Sequence, residues 1–175
     1  LPGRIRHIPD RMAWIFVAAI MVLCTVKGGF FWKHRLATDP WVRDYYDTMV
    51  WARLNTSRED MFILDPTLYG FRDHAQREYY FTWRNGFIVW QNPALYGDFI
   101  GRLNTLGVTL EELQKRKHNA RPDYISKQFS QLDPDAFRGI RAAHPRCKFV
   151  LYRNESKPLI SFPVAYRNSS FIVCR

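Results

Sequence analysis

The chain has 175 residues, 47% hydrophobic and 16% aromatic, with a net charge of +10 and a pI near 9.8. That length holds one ordinary domain plus an extra element, and the composition supports a packed core and excludes extended disorder. The excess of Lys and Arg suits anionic partners, but the cations are scattered and no run reaches five or six like charges. Aromatics fall in apolar runs rather than interleaved with Arg, so no nucleic-acid partner is expected.

The first residue is Leu1, which reads as a piece of a longer chain. Residues 1–11 are a basic juxtamembrane segment carrying Arg4, Arg6 and Arg11. From Met12 to Val26 the sequence MAWIFVAAIMVLCTV has no charge and, as a helix, covers about 22 Å. Extension to Trp32 takes in Lys27, whose long stem reaches an interface, and brings the length close to a hydrocarbon core of about 30 Å. Trp14 at one end and Phe30, Phe31 and Trp32 at the other suit the two interfaces. One transmembrane helix is therefore expected over residues 12–32. A cleaved signal peptide lacks its small-residue site after Val26, a lipoprotein site at Cys24 is spoiled by Leu23, and a buried helix of a soluble domain stays open. Lys27, Lys33 and Arg35 balance the three preceding arginines, so charge leaves the orientation undecided.

Residues 39–175 read as a soluble α/β domain. Asp39-Pro40 starts a helix whose apolar stripe, Tyr45, Met49 and Ala52 among others, runs to about Leu54. Met61–Leu64 is a short apolar strand closed by Asp65-Pro66. Tyr69 to Gln76 is a turn or short helix, Tyr79 to Trp83 a second strand, and Phe87 to Trp90 a candidate third. Asn92-Pro93 opens a helix that stops before Gly107, and Thr109-Leu-Glu-Glu112 resembles a capping box for a short helix to about Lys117. His118 to Ser126 reads as polar loop. Asp133-Pro134 starts a further helix to about His144, residues 148–153 form a strand, and Phe162–Tyr166 with Phe171–Cys174 form a hairpin. The expected architecture is a small mixed sheet flanked by helices.

Candidate chemistry is sparse. Asp65 ends a strand where α/β folds place ligand contacts, although Asp-Pro also simply terminates a strand and caps a turn, and the plainer role is favoured. Tyr69 follows in the same turn. Arg72 and Arg77 have forked donors suited to a phosphate, or they pair with Asp65, Asp73 or Glu78. His74 has no second histidine nearby and no C-x-x-C occurs, so no metal site is expected. Cys147 and Cys174 are expected as separate buried thiols, with a disulfide as the alternative. No nucleophile elbow, Walker loop or dinucleotide fingerprint occurs, so neither a catalytic residue nor a cofactor is assigned.

The order of features carries a resemblance. Trp51, Asn55 and Thr56, then Phe62-Ile-Leu-Asp-Pro66, Gly70-Phe-Arg72 and Arg77, and finally Phe162-Pro-Val-Ala-Tyr-Arg-Asn168, resemble the C-terminal soluble domain of bacterial multispanning membrane proteins of unknown function. Those proteins are similar to C-type glycosyltransferases, which use lipid-linked sugar donors. A more distant likeness is to the catalytic subunit of oligosaccharyltransferases, but two tryptophans of its acceptor motif are absent here. The resemblance, over roughly residues 40–175, implies a membrane-tethered, non-catalytic domain outside the cytoplasm (periplasmic). Its implied partners are the bilayer, upstream transmembrane helices and a lipid-linked glycan, with the catalytic loop elsewhere. Two other readings compete, a single-pass anchored binding module and a soluble α/β enzyme with its N-terminal helix in the core.

Overall fold

A computed structural model describes residues 10–83, 91–154 and 162–175; within the first helix, it describes side chains at positions 14, 15, 17–23, 25 and from 34 onward. The chain divides into two units, residues 1–43 and 44–175.

The first unit contains helix α1, Asp10–Thr38. The sequence reading expected a transmembrane helix over residues 12–32; the backbone there is helical and continues to Thr38, while the membrane-spanning part of that reading finds no support. Among the described residues no helix is long and apolar enough to cross a membrane. The side chains described on its apolar stretch are nevertheless exposed, from Trp14 at 73% to Ile20 at 45%. Asp39 separates α1 from α2, Pro40–Asn55, and caps it as expected, accepting from the backbone N–H of Trp41 at 3.1 Å and of Val42 at 3.4 Å.

The second unit is an α/β body around a five-stranded mixed sheet. Its strands are β1 Met61–Leu64, β2 Glu78–Tyr79, β3 Cys147–Arg153, β4 Val164–Arg167 and β5 Phe171–Cys174, in spatial order β2-β1-β3-β5-β4. β1 is parallel to β2 and β3, while β5 is antiparallel to β3 and β4, so the closing hairpin makes the sheet mixed as the sequence suggested. Alternation along each strand sorts the core into two. Phe62, Leu64, Phe149, Leu151, Phe171 and Val173 face one layer, packed with Tyr45, Met49 and Ala52 of α2 and with Phe71 and Ala75 of α3, Phe71–Ala75. Ile63, Val150, Tyr152, Ile172 and Cys174 face the other. That second layer is built from α4 (Tyr96–Thr105), α5 (Leu110–Gln114), α6 (Arg121–Ser130) and α7 (Pro134–Ala143).

Three local readings change. The second strand is only Glu78–Tyr79, paired with Met61 and Phe62 of β1. Beyond it, Thr82 Oγ1 and Trp83 N instead donate to the Pro66 carbonyl at 3.2 and 3.0 Å. Residues 118–126 are not loop: a 3₁₀ turn at His118–Ala120 leads into α6. Pro122 fits the first turn of that helix, and Ile125 and Phe129, one turn apart, bury its inner face. The short helix after Thr109 ends at Gln114 rather than near Lys117. The candidate strand over 87–90 lies outside the described residues.

Arg77 holds the end of α2. It is 7% exposed, and its Nε donates to Thr56 Oγ1 at 2.9 Å and its Nη2 to the carbonyls of Arg53 and Thr56 at 2.7 and 2.6 Å. Its Nη1 reaches the carbonyls of Gln76 at 3.0 Å and Ala75 at 3.5 Å. These are carbonyls that a helix C-terminus leaves without internal donors. Arg77→Ala is expected to lower stability by about 3 kcal/mol, read as a reduced urea midpoint with an unchanged slope.

Cys147 and Cys174 are both free and buried, as separate thiols. Burial pushes the Cys147 thiol up from 9.0 to about 11, against the pull of Arg102, Arg146 and Arg141, and burial also raises Cys174. The unfolded thiol therefore loses its proton first as pH rises. Stability is expected to be full below pH 9 and to decline between pH 9 and about 11. Cys147→Ala, followed by denaturation across that range, should flatten the decline.

Candidate functional site

The carboxyl ends of β1 and β3 lie side by side, and the chain leaves them in opposite directions. From β1 it turns to β2 at one edge, and from β3 it runs to the β4–β5 hairpin at the other. In open α/β sheets, ligands commonly bind where neighbouring strands diverge in this way. Asp65 sits at the end of β1 and Arg153 at the end of β3.

Asp65 is only 3% exposed. Its Oδ1 accepts from the backbone N–H of Thr67 at 2.9 Å and from Thr67 Oγ1 at 2.7 Å, and its carbonyl accepts from Leu68 N at 2.9 Å. This is the turn that an Asp-Pro-Thr sequence favours. Its Oδ2 accepts from Ser126 Oγ of α6 and faces Arg153 Nη2 at 3.3 Å. Arg153 Nη2 also reaches Thr67 Oγ1 at 3.4 Å. From the other layer, the Tyr45 ring of α2 packs on Phe171 at 5.2 Å. Burial first, then the Asp65 carboxylate, push the Tyr45 phenol well above its ordinary range.

The sequence-derived candidates separate. Asp65 caps its own turn and joins the end of β1 to α6 and β3. Tyr69 stands 45% exposed in the following loop. Arg72 pairs with Glu78 at 2.9 Å on the surface. Arg77 is placed under α2, with its donors directed at backbone carbonyls and Thr56. The His74 ring lies edge-on to Tyr46 at 5.8 Å. Among the described residues no group of three His, Cys, Asp or Glu side chains could hold a metal ion.

Thr67, Ser126 and Arg153 were missed by sequence reasoning. Thr67 carried a signal, since a hydroxyl two residues after Asp commonly bonds back to it. Arg153 carried a positional one, as the last residue of a strand parallel to β1. Ser126 carried none while its helix was read as loop. Chemically, the cluster is a carboxylate whose two oxygens hold a hydroxyl and a guanidinium at the carboxyl ends of β1 and β3. It suits holding a polar group rather than abstracting a proton, because both carboxylate oxygens already accept.

Asp65→Ala is expected to cost about 3 kcal/mol, because it leaves Ser126 and Arg153 facing an empty acceptor site. Arg72→Ala should stay within about 0.5 kcal/mol, as exposed pairs do. Chemical denaturation of the two variants checks both, and equal losses would contradict the assignment.

No known protein family, curated protein or solved structure matches this chain.

Proposed function

We propose that the chain is the membrane-tethered, non-catalytic domain that terminates a polytopic glycosyltransferase-like membrane protein, facing away from the cytoplasm, and that its crevice at Asp65 helps hold a polar part of the substrate. One observation carries the tether. Trp14, Ile15, Val17, Ile20, Met21, Val22 and Leu23 are all large, apolar and exposed on α1. With about 3.6 residues per turn, these positions cover the whole circumference of the helix. A helix apolar all round is stable when lipid or a protein interior surrounds it, whereas a one-sided stripe would suit a surface helix. The charge-free run from Met12 to Val26 supports lipid as that surrounding.

The charge supports an anionic membrane surface on either side. The body, residues 44–175, holds 19 Lys and Arg against 14 Asp and Glu, a net of +5. A cation near an anionic leaflet contributes about 1 kcal/mol. The glycosyltransferase-like context rests on the sequence resemblance, and the substrate role of the crevice on its place at the divergence of β1 and β3.

Membrane fractionation tests the tether. The intact chain is expected in the pellet after ultracentrifugation and to stay there through alkaline carbonate, while a form starting at Asp39 becomes aqueous. An intact chain that stays in the supernatant without detergent would replace this reading with a soluble α/β protein.

A further inference from the structure

Strand β4 is an outermost strand of the sheet, with β5 on one side and, among the described residues, no strand on the other. An edge strand presents a row of backbone N–H and C=O groups to any extended chain laid beside it. At the opposite edge β2 has only two residues, whereas β4 has four. Every residue of β4 except Tyr166 is exposed, although its neighbour β5 is buried throughout.

Register sorts this edge into two faces. Tyr166 lies opposite Val173, which faces the α2 layer, and Arg167 lies opposite Ile172, which faces the other layer. On the α2 side, Tyr166 stacks on Trp51 at 5.1 Å, and Leu54 follows Trp51 by about one helical turn. Leu54 at 73% and Val164 of β4 at 52% are the two most exposed large apolar side chains described in the body. On the other side the charge is positive. Arg167 is exposed, and Arg141 of α7 lies 5.6 Å from the ring centre of Phe162, just before β4. Among the described residues, neither arginine takes part in an ion pair.

This asymmetry selects the partner. Alternate residues of an added strand point to opposite faces of a sheet. A strand that alternates apolar and acidic side chains sets the first against Trp51 and Leu54 and the second against Arg167. A second copy of this chain would instead bring another Arg167 to an edge whose positive charge is already unmatched, at an electrostatic cost. We propose that the outer edge of β4 is a docking site for an extended peptide of alternating apolar and acidic residues, which adds a strand to the sheet. Backbone hydrogen bonds give the affinity any extended chain shares, and the two faces give the preference. The site is separate from the Asp65 cluster and independent of the membrane reading.

The test follows the fluorescence anisotropy of a labelled, capped peptide of Val-Asp repeats as the intact chain is added in detergent. Saturable binding is expected. Arg167→Glu should weaken it at least about tenfold and tighten binding of a matched Val-Lys peptide, and Leu54→Ser should weaken it severalfold. Lys117→Glu, the same charge change at an exposed position before the His118–Ala120 turn, should leave it unchanged. A Val-Asp peptide methylated on alternate backbone nitrogens keeps the charge but cannot pair along an edge, and should not bind the unaltered chain. Equal losses in Arg167→Glu and Lys117→Glu, or equal binding of the methylated peptide, would reduce the effect to overall charge and overturn the proposal. So would an absence of binding below about 1 mM, including the case where sedimentation shows a dimer that Arg167→Glu alters.

Discussion

A buried carboxylate with every acceptor position in use holds this fold at its centre. Asp65 is withdrawn from water at the end of β1, where an ionised group is costly unless donors replace its hydration. Thr67 from its own turn, Ser126 from α6 and Arg153 from β3 supply them. Those donors belong to different layers and to both central parallel strands. The place where β1 stops, the depth of α6 against the sheet and the direction of Arg153 are consequently set together. None of the three is free to drift without exposing a buried charge.

Much of the residue pattern singled out in the sequence serves as joinery. Trp51 stacks on Tyr166 at 5.1 Å, fastening α2 to the edge strand β4. Thr56 receives Arg77 and donates to the Ala52 carbonyl at 2.6 Å, closing the end of α2. Asn168, in the hairpin turn, donates to the Asp44 carbonyl at 2.8 Å and to Thr48 Oγ1 at 3.1 Å, and accepts from the backbone N–H groups of Ser170 and Phe171. Ser170 Oγ reaches the Asp44 carboxylate at 2.6 Å. Each contact ties α2 to the sheet or to the hairpin. A pattern built from such residues marks a way of attaching one helix to one sheet, and it carries little information about substrate.

The same logic explains what the sequence disclosed. Strands β1, β3 and β5 were legible because short apolar runs bounded by Asp-Pro, Arg-Asn or a polar turn have few other uses. Helices α2, α5 and α7 were legible from their caps, Asp39, Thr109 and Asp133, each of which accepts from the first turn as expected. Helix α6 was obscured because its buried face is only Ile125 and Phe129 within a polar, Pro-containing stretch. Its loss hid Ser126, and so the tertiary half of the Asp65 cluster. Arg77 was read as a candidate anion ligand because nothing local distinguishes an arginine that caps a distant helix from one that faces solvent. Thr56 lies 21 residues before it.

Charges are paired at both ends of the sheet. General α/β experience directs attention to the carboxyl end of the strands, and there the charges are matched: Asp65 against Arg153, with hydroxyls completing the set. A matched cluster gives rigidity and leaves little electrostatic attraction for a visitor. At the amino end of β3, Arg102 pairs with Asp98 at 3.0 Å and Arg146 with Glu59 at 3.7 Å, and each also donates to a main-chain carbonyl. Carbonyl contacts orient a guanidinium at little cost to its field, whereas carboxylate contacts spend that field.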